Sequence, residues 1–155
     1  MKLSDWTAEN FQKSDALIFI GAVGIAVRAI APHCKSKATD PAVIVLDERG
    51  RFSIPILSGH LGGANDLAKK LASICGAVPV ITTATDVEGV FAVDEWAKAQ
   101  NCHVLEPERI KTVSGTLLAD KVVYYDSQWK ITGTQPKNVF PADENHQADF
   151  SVTLH

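Results

Sequence analysis

Two short runs of consecutive apolar residues constrain the fold of this chain most. Ala16–Ile20 is one such run and ends at Gly21, and Ala42–Leu46 is a second one that ends at Asp47. A strand with both faces buried has this continuous apolar pattern, whereas a half-exposed strand alternates apolar and polar residues. We therefore expect both segments to be strands buried inside a sheet, the first of them central and parallel to its neighbours.

Further segments repeat the alternation of helix and strand. Apolar residues at helical spacing predict a helix over 64–75 that ends at Gly76, and another helix follows Gly21 and ends before Pro32. Val78–Thr83 has the composition of a further strand. Strands that alternate with helices favour an α/β fold in three layers, with a mostly parallel sheet flanked by helices.

One strand-like segment is expected at the edge of this sheet. Phe52–Leu57 alternates imperfectly and contains Pro55, whose nitrogen has no hydrogen to donate to a neighbouring strand. Proline in sheets is therefore largely confined to edge strands and bulges. We expect this segment to be an edge strand, or an extended approach, that leads the chain to Ser58.

The composition changes after residue 101, where a second unit is expected to begin. Residues 1–101 are predicted to form an N-terminal α/β domain, and residues 102–155 a small α+β appendage. In the appendage, a helix is predicted over 107–120, and short strands are predicted at 102–105, 121–126, 128–132 and 150–154.

The composition argues against several classes of protein. The 155 residues carry 15 basic and 18 acidic side chains, a net charge of −3, and no basic run suited to a nucleic-acid backbone. No apolar run approaches the roughly 20 residues that span a membrane. Three widely spaced cysteines and five scattered histidines form neither a disulfide framework nor a metal motif. We expect a cytoplasmic protein without nucleic-acid, membrane or protein-bound metal partners.

A glycine-rich stretch lies between the segment that contains Pro55 and the helix over 64–75. It consists of Ser58, Gly59, His60, Leu61, Gly62 and Gly63. Glycines let the backbone approach a ligand closely, and amides at the start of a helix attract an anion. The alternative is a plain turn in which His60 caps the helix. A ligand site is favoured, because a double glycine at a helix start is costly unless it serves binding.

Gly21 and Gly24 form a second glycine turn, between a strand and a helix. Their spacing is not that of the dinucleotide-binding fingerprint. Either they contact a ligand or they permit close packing of the helix against the strand, and the sequence does not decide between the two.

A cluster of hydroxyl side chains follows the predicted strand Val78–Thr83. Thr82–Asp86 supplies three threonines and a carboxylate, which either bind a polar substrate and activate a water or only cap a helix. Asp40, Asp47 and Glu48 are expected to be turn and strand-end residues. Ligands of open α/β sheets gather beyond the carboxyl ends of the strands, where we expect both glycine turns, Asp47 and Thr82–Asp86 to lie.

Four segments, read together, carry a family resemblance. They are Phe19–Pro32, Lys37–Val43, Leu57–Asn65 and Ile81–Asp86. In this order they resemble the cobalt-precorrin-5A hydrolase family of cobalamin biosynthesis, and residues 107–155 are similar to the start of that family's middle region. The resemblance implies an enzyme of the anaerobic route that opens a δ-lactone of cobalt-precorrin-5A. The two-carbon fragment would leave as acetaldehyde, giving cobalt-precorrin-5B.

The resemblance also bears on cofactors and partners. Cobalt would be carried by the corrinoid substrate, so no cofactor of the protein itself is implied. Full-length members are considerably longer than this chain, with a strand and a helix before the matched region and a C-terminal domain after it. We therefore expect a fragment, or a C-terminal domain supplied on the same or another chain. A homo-oligomer is compatible with the sequence.

The candidate residues can be given roles in such a reaction. His60 or Asp86 is expected to activate the water that attacks the lactone carbonyl. Backbone amides around Gly59, Gly62 and Gly63 would stabilise the oxyanion, and Arg28 and Lys37 would pair with carboxylates of the macrocycle. The predicted substrate-binding residues are Gly21, Gly24, Arg28, Lys37, Ser58, Gly59, Gly62, Gly63, Asn65, Thr82, Thr83 and Thr85.

Two other functions remain open at this point. The chain could be a non-catalytic module that holds a corrinoid for a partner domain, in which case it would bind a cobalt corrinoid without releasing acetaldehyde. It could also be a nucleotide-binding α/β domain, in which case nucleotides would raise its melting temperature.

Overall fold

The computed structural model describes residues 1–129 and 134–153. The chain forms two compact units, Met1–Thr82 and Thr83–His155, and each has its own sheet and its own core. This division precedes the change of composition at residue 101. Among the described residues, no helix is long and apolar enough to cross a membrane.

The first unit contains a four-stranded mixed sheet with helices on both faces. Its strands are β1 (Ala16–Ile20), β2 (Ala42–Leu46), β3 (Phe52–Leu57) and β4 (Val78–Pro79), and they lie in this order. Its helices are α1 (Leu3–Asn10), α2 (Val23–Ile30) and α3 (Ala64–Cys75). The pairs β1–β2 and β3–β4 are parallel, whereas β2–β3 is antiparallel. The predicted α/β class is confirmed, with one antiparallel pairing inside the sheet.

Alternate residues of β2 face two different layers of helices. Val43 and Val45 pack in a core cluster with residues of α2 and with Phe11, whereas Ala42 and Ile44 pack against α3. All five residues of β2 are buried. The prediction for β2 is therefore confirmed, since the strand is continuously apolar and is covered on both faces.

β1 differs from the prediction, because it forms one edge of the sheet. Leu17 and Phe19 are buried in the core, but Ile18 and Ile20 on the opposite face are 42% and 73% exposed. On that face α3 packs over β2 and β3, so it gives Ile18 and Ile20 little cover. The expectation of a central strand was wrong here, since a continuous apolar run does not distinguish a central strand from an edge.

β3 was predicted at an edge, yet it lies between β2 and β4. The register of β2 and β3 is irregular between Val43 and Ile44, and Ile44 is the partner of Pro55. On the other side, β4 pairs only with Phe52 and Ser53. Pro55 therefore lies at an irregularity and beyond the end of the neighbouring strand, where its missing amide hydrogen costs little.

The second unit has a three-stranded parallel sheet. Its helices are α4 (Ala84–Glu88), α5 (Val93–Ala99) and α6 (Ile110–Leu118), and its strands are β5 (Val123–Ser127), β6 (Val139–Pro141) and β7 (Phe150–Val152). β5 lies in the middle and pairs in parallel with β6 and β7. Val113 and Leu117 of α6 pack on Val123 and Val139 to form its core.

Several predicted strands are shorter than expected or do not form. Within the described part of the chain, residues 102–105 form no strand, and Val78–Thr83 is a strand only over its first two residues. The strand predicted at 150–154 ends at Val152. Residues 130–132 of the strand predicted at 128–132, and Leu154, lie outside the described residues.

Candidate active site

The glycine-rich loop, residues 58–63, connects the end of β3 to the start of α3. Ser58 is buried and has a left-handed backbone with a φ of 55°, and Gly63 has a φ of 78°. The carbonyl oxygens of Ser58 and Gly59 accept hydrogen bonds from the amides of Ala64 and Asn65, at 3.1 and 3.0 Å. The loop therefore caps the first amides of α3 with its own carbonyl groups.

These hydrogen bonds also fix the direction of the loop's own amides. A trans peptide unit points its carbonyl group and the following N–H in opposite directions. Because the carbonyls of Ser58 and Gly59 point to α3, the N–H groups of Gly59 and His60 point away from it. The carbonyl of His60 accepts the Gly63 amide at 2.9 Å, which turns the Leu61 N–H away from Gly63 in the same manner. Successive outward amides suit an anion or an oxyanion.

The structure changes the set of amide donors that the sequence suggested. The Gly63 N–H donates to His60 within the loop, so it is not offered to a ligand. Packing excludes a side chain at Gly62 and leaves little room for one at Gly59. A Cβ at Gly62 would lie 2.4 Å from the Cβ of Ser58, and a Cβ at Gly59 would lie 3.0 Å from Oδ1 of Asn65.

The two glycine turns lie at opposite ends of the sheet. Gly21 follows the carboxyl end of β1, and its amide donates to Leu46 at the carboxyl end of β2 at 2.8 Å. Asp47 is at this end as well, since it follows Leu46 directly. β3 runs in the opposite direction to β2, so Ser58 lies at the amino end of β2. The predicted convergence of these residues was wrong, because it assumed parallel pairing throughout.

Close packing does not account for Gly21 and Gly24. A Cβ at either position would meet no described atom within 4 Å, so the idea that they allow helix and strand to approach was wrong. Gly21 has a φ of 146°, which glycine adopts readily. Neither packing nor conformation requires glycine at position 24. A binding role for these two residues stays a prediction, at the end of the sheet away from the glycine-rich loop.

Two exposed cations lie on segments at or near the same end of the sheet as the glycine-rich loop. Lys37 is exposed on the segment that precedes the amino end of β2. Arg28 is exposed in the last turn of α2, a helix that starts beyond the carboxyl end of β1 and leads back toward that segment. Positive charge at this end suits a substrate that carries several carboxylates.

The threonine-rich segment is divided between the two units. Thr82 ends the first unit, where the chain leaves β4 in the direction of the end of β3. Thr83 precedes α4, and its carbonyl accepts the Val87 amide at 3.0 Å. Thr85 is buried, and Asp86 is half-buried in the first turn of α4. Asp86 thus belongs to the second unit, whereas His60 belongs to the first.

The second unit contains a cavity of about 600 Å³ beside β7. Trp96 and Phe150 contribute apolar lining, and His103 and Arg109 contribute polar groups. No residue of the predicted site is among those that line it. No sequence motif predicts this cavity, because its lining comes from separate segments within 93–113 and 148–153.

The matched family covers the sheet of the first unit and the glycine-rich loop. Residues 5–86 match the family described as cobalamin synthesis G N-terminal, also written CbiG_N. The chain belongs to this family. The CbiG_N match includes His60, Arg28, Lys37 and the segment Thr82–Asp86.

Two curated relatives of this chain are named cobalt-precorrin-5A hydrolase, and both are much longer than it. It is 50% identical over 116 residues to a cobalt-precorrin-5A hydrolase of Salmonella typhimurium, covering 74% of this chain and 33% of the relative. It is 41% identical over 113 residues to the cobalt-precorrin-5A hydrolase of Priestia megaterium, covering 73% of this chain and 30% of the relative. The chain therefore spans about a third of the length of these relatives.

A solved structure shares the fold. The crystal structure described as a cobalamin biosynthesis protein G homologue from Sulfolobus solfataricus is 26% identical to this chain, with a TM-score of 0.52. The similarity covers 91% of this chain and 45% of that one. The α/β fold of the CbiG_N chain is thus found in a related protein.

Proposed function

We propose that this chain is part of a cobalt-precorrin-5A hydrolase and binds the lactone of the substrate. The observation that carries the proposal is the 50% identity to a relative of that name across a region of 116 residues. The outward amides of the glycine-rich loop supply a chemical reason. Cobalt enters with the substrate, and the product is cobalt-precorrin-5B. We place the protein in the cytoplasm, because its three scattered cysteines do not form a disulfide framework.

In this mechanism the lactone carbonyl oxygen faces the amides of Gly59 and Leu61. A water adds to the carbonyl carbon while its proton passes to His60, and the amides stabilise the oxyanion. Collapse of the oxyanion breaks the acyl C–O bond and leaves a carboxylate and a hydroxyl group. The hydroxyl then loses its proton and becomes the aldehyde carbonyl as the C–C bond breaks, with the electron pair left on the macrocycle.

Charged and polar side chains hold the macrocycle in the same proposal. Arg28 and Lys37 pair with peripheral carboxylates, because an acidic substrate needs cations on a chain whose net charge is −3. Asn65 and Thr82 supply further hydrogen-bonding groups, whereas the Ser58 hydroxyl already donates to the Asp40 carbonyl.

A graft into a full-length relative tests the catalytic role of His60. Residues 5–86 of this chain replace the matching segment of the Salmonella typhimurium enzyme, and acetaldehyde release from cobalt-precorrin-5A is measured. We expect His60→Gln to lower kcat by roughly 100-fold or more, because a general base typically contributes that much. Glu48→Ala, on the exposed turn at the other end of the sheet, is the control and should leave kcat unchanged. Normal turnover by His60→Gln would remove His60 from the mechanism.

A corrinoid-binding module is the second candidate function, and the outward amides of the glycine-rich loop favour it, because they suit an anion whether or not a reaction follows. Titration of the 155-residue chain with cobalt-precorrin-5A separates the two. Binding without acetaldehyde would support the module, and binding with acetaldehyde would support the hydrolase.

A further inference from the structure

Asp40 connects two segments that carry candidate binding groups of the first unit. The residue is 6% exposed, and its Oδ2 accepts the amides of Lys35 and Ser36 at 2.8 and 3.1 Å. Its backbone carbonyl accepts the hydroxyl of Ser58 at 2.9 Å. One residue thus holds the segment that bears Lys37 and, through its main chain, the first residue of the glycine-rich loop.

The side-chain oxygens of Asp40 accept hydrogen bonds from main-chain amides of the segment before it. Its second oxygen, Oδ1, also accepts the Lys35 amide, at 3.1 Å. Burial keeps the carboxylate from water, and main-chain amides satisfy its oxygens. A buried carboxylate with such partners fixes the shape of the chain around it.

Ser58 needs an anchor of this kind. A φ of 55° is unfavourable for a residue with a side chain. In this conformation the carbonyl of Ser58 faces the Ala64 amide, and the Gly59 N–H of the same peptide unit therefore points outward. The hydroxyl bond to Asp40 and the close approach of Gly62 hold Ser58 in this conformation.

We infer that Asp40 is a positioning residue for substrate binding, which holds Lys37 and the outward amides of the glycine-rich loop in one fixed arrangement. The inference rests on the proposed function and adds to it a residue that does not touch the substrate. Donors that are fixed in advance bind an anion better than donors that must be ordered on binding. Loss of the anchor therefore weakens the binding of the lactone substrate.

Titration of the whole chain with cobalt-precorrin-5A, followed by the corrinoid absorbance, tests the inference. We expect Asp40→Ala to raise Kd by about tenfold or more, since the donors must then be ordered on binding. Asp40→Asn keeps one oxygen that can accept both amides at the Oδ2 position, so it should restore Kd to within about threefold of the parent value. Glu48→Ala is the exposed control and should leave Kd unchanged. An Asp40→Ala variant that folds and binds as the parent does would overturn the positioning role.

Two further measurements keep the outcome decisive. Thermal unfolding of each variant shows whether it is folded. If Asp40→Ala does not fold, Ser58→Ala takes its place, because it removes the other link of the arrangement, the hydrogen bond from the Ser58 hydroxyl to the main-chain carbonyl of Asp40. An unchanged Kd for Ser58→Ala then overturns the inference, and a raised Kd supports it. If the parent chain itself does not bind cobalt-precorrin-5A, the proposed function fails and the inference falls with it.

Discussion

Gly62 is the residue at which the glycine-rich loop tolerates least change. A Cβ there would lie 2.4 Å from the Cβ of Ser58 and 2.8 Å from its carbonyl oxygen. We expect Gly62→Ala to lower the free energy of unfolding by about 1–3 kcal/mol, the usual cost of overpacking. Urea denaturation measures the loss.

Gly24→Ala is the matched control for this substitution. Gly24 lies within α2 of the same unit, and a Cβ there would meet open space. Alanine is favoured over glycine inside a helix, so we expect no loss, or a gain of up to about 1 kcal/mol. Equal losses for the two variants would contradict the packing explanation of Gly62.

At the residue scale, the sequence predicted where the glycine-rich loop lies better than it predicted which of the loop's amides face outward. Ser58, Gly59 and Gly62 were singled out because glycines and a hydroxyl cluster before a helix. The occupied amide of Gly63 could not be foreseen, since it depends on a bond to His60 within the folded loop. Asp40 was taken for a turn residue because its partners are backbone amides, which leave no pattern in a sequence.

Among the elements, the antiparallel pair β2–β3 depends on the turn that begins at Asp47. Its carboxylate accepts the amides of Phe52 and Arg51 and the Nε of Arg51. The Phe52 amide, and then the bonds from Arg51, hold the pKa of Asp47 below its ordinary value of 3.8. A lowered pKa in the folded state gives stability that is present above the ordinary pKa and is lost as the pH falls through the folded value.

Asp47→Asn tests this turn through the pH dependence of stability. We expect the variant to be less stable than the parent at about pH 6, and the difference to shrink as the pH falls below the ordinary pKa and the parent carboxylate takes up its proton. Urea denaturation at a series of pH values measures the difference. Glu48→Gln, one residue along on the exposed turn, is the control. A difference that stays constant with pH would show that the charge of Asp47 is not responsible.

The elements also show why part of the fold could not be predicted. β1 and β2 have equally apolar sequences, yet β2 is buried on both faces and β1 leaves Ile20 73% exposed. Burial depends on which strands lie on either side, and that order is set by distant parts of the chain. Pro55 misled the prediction for the same reason, because the short β4 leaves room beside it in an inner strand. The resulting antiparallel β3 is what separates Gly21 from Ser58.

At the scale of the whole chain, the two units have separate cores that can be disturbed one at a time. Leu17 of β1 is 2% exposed in the first core, and Leu117 of α6 is 3% exposed in the second. Leu→Ala at a buried position lowers the free energy of unfolding by about 2–5 kcal/mol. Leu17→Ala and Leu117→Ala therefore form a matched pair, because each removes the same side chain from one of the two cores.

Native-state hydrogen exchange distinguishes the effects of the two variants. Leu17→Ala should speed exchange most at amides of β2, and Leu117→Ala most at amides of β5, because each strand packs in the core that the variant weakens. The cause is local opening, which becomes more frequent when the contacts that oppose it are lost. If Leu117→Ala accelerated exchange in β2 as much as in β5, the two cores would unfold as one cooperative unit. In that case the division after Thr82 would describe the geometry of the chain but not its stability.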